Sequence, residues 1–157
     1  MTSIRELQDI CGRAAHDKGF HDDRPRPMRI GSSVTAQRER QEALTNWQGN
    51  KLMLIVSEVA EAQDELRKGH AADLTYYVPP ALPPTLVAEV GVARAADLIA
   101  KENAGKLRKP EGAPSELADV VIRVLDFCYT EGIDLESIIT EKLAYNATRA
   151  YKHGKKF

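Results

Sequence analysis

Apolar positions recur at three- and four-residue spacing through most of the chain, which is the period of an amphipathic helix. Ile4, Leu7, Ile10, Cys11 and Ala14 mark a first helix over about Ser3–Lys18, stopped at Gly19. A polar loop, Phe20 to Ser33, leads to a long second helix, capped at Thr35 or a neighbouring Ser, that runs to Lys68 and stops at Gly69. Tyr76-Tyr77-Val78-Pro79-Pro80 and Pro83-Pro84 forbid a continuous helix in the middle of the chain. Beyond them the pattern predicts a helix over Thr85–Asn103, a basic turn-rich loop over Gly105–Pro114, and a helix over Pro114–Thr130 that ends near Gly132. Asp134 is placed to cap a last helix reaching Ala150, followed by a basic tail, residues 151–157. No strand pair stands out, so the expected architecture is an all-α bundle in a single domain, 1–157, with residues 70–113 as an insertion.

The acids sit oddly on these helices. At 100° per residue, Glu58, Glu61 and Glu65 fall within about 60° of one another. Leu52, Ile55, Val56, Val59, Ala62 and Leu66 take the neighbouring arc, which is expected to face the core. The Pro114–Thr130 helix is apolar nearly all round, with Leu117, Val120, Val121, Val124, Leu125 and Cys128 on one face and Ala118, Ile122 and Tyr129 on much of the other. Such a helix is buried or lies at a subunit interface. Yet Glu116, Asp119, Arg123 and Asp126 share one ridge of it. Charges there are costly unless paired, metal-bound or facing a wet cleft. Two helices carrying carboxylates at i and i+3 can pack with the pairs facing, and a cation between them relieves the repulsion. Oxygen-only ligands suit Mg²⁺ or Mn²⁺.

On the last helix Leu135, Ile138, Ile139 and Leu143 predict a buried face, which turns polar at Lys142, Asn146 and Arg149. That change reads as the wall of an anion site, or equally as a solvated helix end. Trp47, the single tryptophan, lies one turn before Lys51 on the stripe of Glu58 and Glu65; it is placed either to stack on a base or to fill the core. His21-Asp22-Asp23 reads as loop, because adjacent residues on a polar loop seldom converge on one ion. His16, His70 and His153 show no ligand spacing.

Composition narrows the classes. A net charge of −1 over 157 residues argues against a duplex nucleic-acid binder and for no stable nucleic-acid partner. Cys11 and Cys128 lack any C-x-x-C spacing, which excludes zinc and thioredoxin-like chemistry and fits reduced thiols. Neither a signal core nor a run long enough to span a membrane is evident, so a cytoplasmic protein is expected.

Ser57-Glu58-Val59-Ala60-Glu61, Glu116-Leu117-Ala118-Asp119, and Lys142-Leu143-Ala144-Tyr145-Asn146-Ala147-Thr148-Arg149 with His153-Gly154-Lys155-Lys156 together resemble the MazG-like, all-α nucleotide pyrophosphohydrolase family. The resemblance implies a helical bundle whose two metal-binding helices are separated here by an extra helix and a Pro-rich loop. It implies that Glu58, Glu61, Glu116 and Asp119 hold Mg²⁺ and carry catalysis. Lys142, Asn146 and Arg149 would hold phosphates, with Lys51 and Trp47 as further substrate contacts. The implied reaction cuts a nucleoside triphosphate to the monophosphate and pyrophosphate in a homodimer or homotetramer, with Glu65, Asp126 or a second metal ligand as candidates to assist proton removal. Two features depart from the family: Ser57 stands where the pattern has a leading Glu, and the segment Ala62 to Ser115 is long. A phosphoribosyl-ATP pyrophosphohydrolase and a non-catalytic helical module remain as rival readings.

Overall fold

The computed structural model describes residues 2–28 and 31–150 of the chain; the basic tail expected at 151–157 lies outside them. Among the described residues the fold is all-α, with six helices and no strand: α1 (Ile4–Asp17), α2 (Val34–Arg67), α3 (Pro84–Val90), α4 (Val92–Glu102), α5 (Ala113–Thr130) and α6 (Leu135–Ala147). None of the described helices is long and apolar enough to cross a membrane. The residues group into two compact units, one drawn from the chain up to Val59 and from Ala118 onward, the other from Ala60–Leu117.

In the first unit α1 opens with a capping box, Ser3 accepting from the Glu6 N–H while Glu6 accepts from the Ser3 N–H, which satisfies two donors the helix cannot. Ser33 accepts from the Ala36 N–H and so caps α2. Asp134 accepts from the Ser137 N–H at 3.2 Å and caps α6; the Ser137 hydroxyl and N–H hold its carboxyl below the usual carboxylate range. Arg5 reaches Asp134 at 2.9 Å and Gln8 donates to the Ile133 carbonyl at 2.9 Å, so α1 is pinned to the start of α6. Gly12 is buried because the Tyr129 ring lies against its backbone, where a Cβ would overlap the ring.

The second unit holds the insertion. The single helix expected over Thr85–Asn103 is two helices, α3 and α4, divided at Gly91. Gly91 adopts φ 79° and ψ 160°, outside helical geometry and open only to glycine at low cost, while its N–H closes α3 on Val87. Tyr76 and Glu111 exchange both backbone hydrogen bonds, at 3.1 and 2.9 Å. Gly112 follows at φ 102°, with the Leu74 carbonyl where a Cβ would stand. α6 ends at Ala147 rather than Ala150, so Arg149 is not helical.

Candidate metal and nucleotide site

The buried stripe of α2 is not the apolar one. Trp47, Glu58, Ala62 and Glu65 are its buried positions, each 6% exposed. Of the residues expected in the core, Ala62 is buried and Ile55 half-buried, but the other four are about half exposed: Leu52 47%, Val56 53%, Val59 49% and Leu66 48%. Those four side chains are only half covered among the described residues, while Glu58 and Glu65 of the stripe's acidic edge are buried. α5 shows the same inversion in part: Leu117, Val121 and Ile122 are exposed and Glu116 is buried, while Leu125 and Cys128 are buried as expected.

Glu58 of α2 and Asp119 of α5, both in the first unit, each bring a carboxylate oxygen to within 4.8 Å of the other. Glu116 stands one turn before Asp119 on the unbroken α5 and is buried. Of the four acids expected to converge, Glu58 and Asp119 are the two that the first unit brings together. Glu61 is exposed. Arg123 meets Glu58 with two donors, Nε at 2.7 Å and Nη2 at 2.6 Å, both on Oε1. This pair offsets one buried charge and leaves Oε2 of Glu58 with no protein hydrogen bond among the described residues. Ser57, where the family pattern has Glu, turns its hydroxyl onto the Leu54 carbonyl at 2.7 Å.

The donor set fits a small hard cation. Mg²⁺ at about 2.0–2.1 Å from its oxygens places ligand atoms about 2.9 Å apart when adjacent and about 4.1 Å when opposite. Oxygens within 4.8 Å of one another meet that requirement with small side-chain rotations.

The two acids considered for proton removal are both engaged elsewhere. Glu65 accepts from Lys68 at 2.6 Å, from His70 Nδ1 at 2.8 Å and from the Tyr76 hydroxyl at 3.0 Å. Lys68 first, then His70, lower its pKa to about 2. Asp126 is bound by His21 Nε2 at 2.7 Å. His21 and His70 thus have carboxylate partners, which adjacency in sequence did not reveal: His21 finds Asp126 across 105 residues.

Trp47 is core rather than an open stacking surface. Its Nε1 donates to Asp23 at 2.9 Å, a bond that lowers the Asp23 pKa, and Arg24 and Lys51 lie over the ring at 5.6 and 5.1 Å. Lys51 donates to the Phe20 carbonyl at 2.7 Å. Arg24 in turn pairs with Glu131 at 3.1 Å, so the loop after α1 is tied down at several points.

Lys142, Asn146 and Arg149 are exposed, and no hydrogen bond is formed by their side chains among the described residues; Lys142 lies over the Tyr145 ring at 5.7 Å. The face expected to be buried on this helix is not: α6 carries no buried residue, and Ile138 is 53% and Leu143 63% exposed.

The first unit also contains a cavity of about 710 Å³. Ile10, Ala14, Phe20, Leu54 and Ile122 supply apolar walls, and Asp119, Arg123 and Asp126 reach it from α5. A cavity of about 700 Å³ in the second unit is lined by Leu82, Ile99, Leu107 and basic residues, with no carboxylate. Comparison with known proteins finds no matching family model, no matching curated relative and no matching solved structure.

Proposed function

We propose that the protein is a Mg²⁺-dependent hydrolase that converts a nucleoside triphosphate, with a deoxynucleoside triphosphate the favoured class, to the monophosphate and pyrophosphate. The observation that carries this reading is the approach of the Glu58 and Asp119 carboxylates to within 4.8 Å, with Glu58 buried and Glu116 one turn before Asp119 on the same helix. Buried acids this close are costly without a countercharge, and Arg123 supplies one to Glu58. The three carboxylates would hold the cation, which when bound would neutralise phosphate oxygens and lower the barrier to attack by water. Asp119 both belongs to this group and lines the apolar cavity, so the phosphate end of a nucleotide and its base have adjoining places. Arg123 donates to one oxygen of Glu58 and orients it, as groups behind metal ligands commonly do. Lys142, Asn146 and Arg149 are free to meet a polyphosphate from solvent, Lys142 and Arg149 through charge-assisted hydrogen bonds.

The exposed stripe Leu52, Val56 and Val59 supports a second copy of the chain as partner, since a helix flank of this kind is covered in a stable assembly. Sedimentation equilibrium should give a dimer or tetramer, and Val56→Asp should shift it toward monomer.

The test of the reaction is pyrophosphate release from a panel of ribo- and deoxynucleoside triphosphates, with Mg²⁺ and with chelator. Release that depends on Mg²⁺ supports the reading. An absence of release from every triphosphate, in a protein that binds Mg²⁺, refutes it.

A further inference from the structure

Asp126 lines the same cavity as Asp119, two helical turns further along α5. At 1.5 Å per residue those seven positions span about 10.5 Å. This is comparable with the length of a nucleotide from its α-phosphorus to the exocyclic group of its base.

The hydrogen bonds around Asp126 determine what it offers. His21 Nε2 lies 2.7 Å from Asp126 Oδ1 and 3.1 Å from Thr130 Oγ1. The Thr130 hydroxyl donates to the Asp126 carbonyl at 3.0 Å, so its lone pairs face the imidazole. Two acceptors at one nitrogen require that nitrogen to carry hydrogen, and Nε2–H therefore donates to Oδ1. Oδ1 is occupied and the carboxylate is held in orientation. Oδ2 has no hydrogen-bond partner among the described residues, and Asp126 borders a cavity that it shares with the apolar side chains of Ile10, Ala14, Phe20, Leu54 and Ile122 and with the charged groups of Lys18, Lys51, Asp119 and Arg123. An acceptor fixed in orientation beside apolar walls can recognise a donor on a flat ring.

Resting on the nucleotide reading above, we infer that this cavity takes the base, and that Asp126, positioned by His21 and Thr130, selects bases carrying an exocyclic amino group. Cytosine and adenine, whose amino group stands where uracil and hypoxanthine have a carbonyl, are the class admitted; guanine, with a carbonyl at that position, is not. Uracil and hypoxanthine present a carbonyl oxygen to a carboxylate oxygen and are disfavoured.

The test uses unphosphorylated nucleosides without metal, so that it does not depend on hydrolysis. Deoxycytidine and deoxyuridine are titrated into the full chain, following the methyl resonances of Ala14 and Ile122. A hydrogen bond to a charged acceptor, against an unpaired one, predicts that deoxycytidine binds about tenfold or more tightly. In Asp126→Asn the amide oxygen takes the place that accepts from His21, and the amide NH₂ faces the cavity. The preference should then reverse toward deoxyuridine. A wild-type ratio near one overturns the inference without the variant, as does failure of both nucleosides to perturb these methyls at millimolar concentration. A ratio unchanged in a folded Asp126→Asn protein also overturns it. Pyrophosphate release persisting in those cases would leave the reaction standing with its base site elsewhere. Nucleoside preference without release would leave the base site standing with a different reaction.

Discussion

Replacing Asp119 with Asn should make the metal-free protein more stable and the metal-supplemented protein less so. The change keeps the side chain's shape and removes a charge whose oxygen lies within 4.8 Å of a Glu58 carboxylate oxygen. Two unit charges at that distance repel by about 0.9 kcal/mol in water and about 3.5 kcal/mol at an effective dielectric of 20. Asp119 is half-buried and Arg123 already offsets part of the field at Glu58, so the relief should be about 1–2 kcal/mol. For a chain of this length each kcal/mol moves Tm by about 2–4 °C, so the variant in chelator should melt a few degrees above the wild type. A cation at 100 times its dissociation constant stabilises the native protein by about 2.7 kcal/mol. Wild-type Tm should therefore rise by about 5–10 °C with saturating Mg²⁺ or Mn²⁺. The variant should rise little, because its cation affinity falls at least about tenfold with a ligand lost. Differential scanning calorimetry with and without Mn²⁺, alongside Mn²⁺ binding by electron paramagnetic resonance, reads both halves. A variant that is destabilised in chelator and still stabilised by Mn²⁺ like the wild type would refute the shared site.

Three further outcomes are expected. Lys142→Ala should lower kcat/KM by about tenfold to a hundredfold, equally for every base, because a charge-assisted bond to phosphate is worth roughly 1.5–3 kcal/mol; a loss confined to one base in a kinetic panel would misplace the triphosphate. Glu65 has its folded pKa lowered from 4.5 to about 2, so the clasp it forms with Lys68, His70 and Tyr76 is fully present above about pH 4.5 and is lost as pH falls toward 2. Carboxyl NMR titration of Glu65 checks this, and a midpoint near 4.5 would contradict it. Gly12→Ala should cost about 1–3 kcal/mol by driving a methyl into the Tyr129 ring, read by denaturant unfolding; an unchanged midpoint would show that the ring moves aside freely.

The helices were legible because their punctuation is local. Ser3, Asp134 and Gly69 mark ends through hydrogen bonds or φ values set within a few residues. Gly91 was missed because a single glycine within an otherwise helical pattern is often tolerated, and only the observed φ shows the break. Periodicity located the stripes of α2 but not which one faces inward. Hydrophobicity favoured Leu52, Val56 and Val59, whereas Glu58 is the residue buried, with Arg123 of α5 to meet it. The ridge Glu116, Asp119, Arg123 and Asp126 was readable as anomalous charge on an apolar helix. Its division into a Glu58 partner, Arg123, and a His21 partner, Asp126, was not, since Glu58 and His21 come from distant segments. Glu61 shares the spacing of a ligand, yet spacing on one helix cannot tell which acid its neighbour reaches.

Turnover of a nucleoside triphosphate in ¹⁸O-labelled water, with Mg²⁺ and products resolved by ³¹P NMR and mass spectrometry, tests the central claim most directly. Attack at the α-phosphorus predicts equal amounts of monophosphate and pyrophosphate, with the label in the monophosphate. Nucleoside diphosphate with inorganic phosphate, or label in the pyrophosphate, would contradict the account.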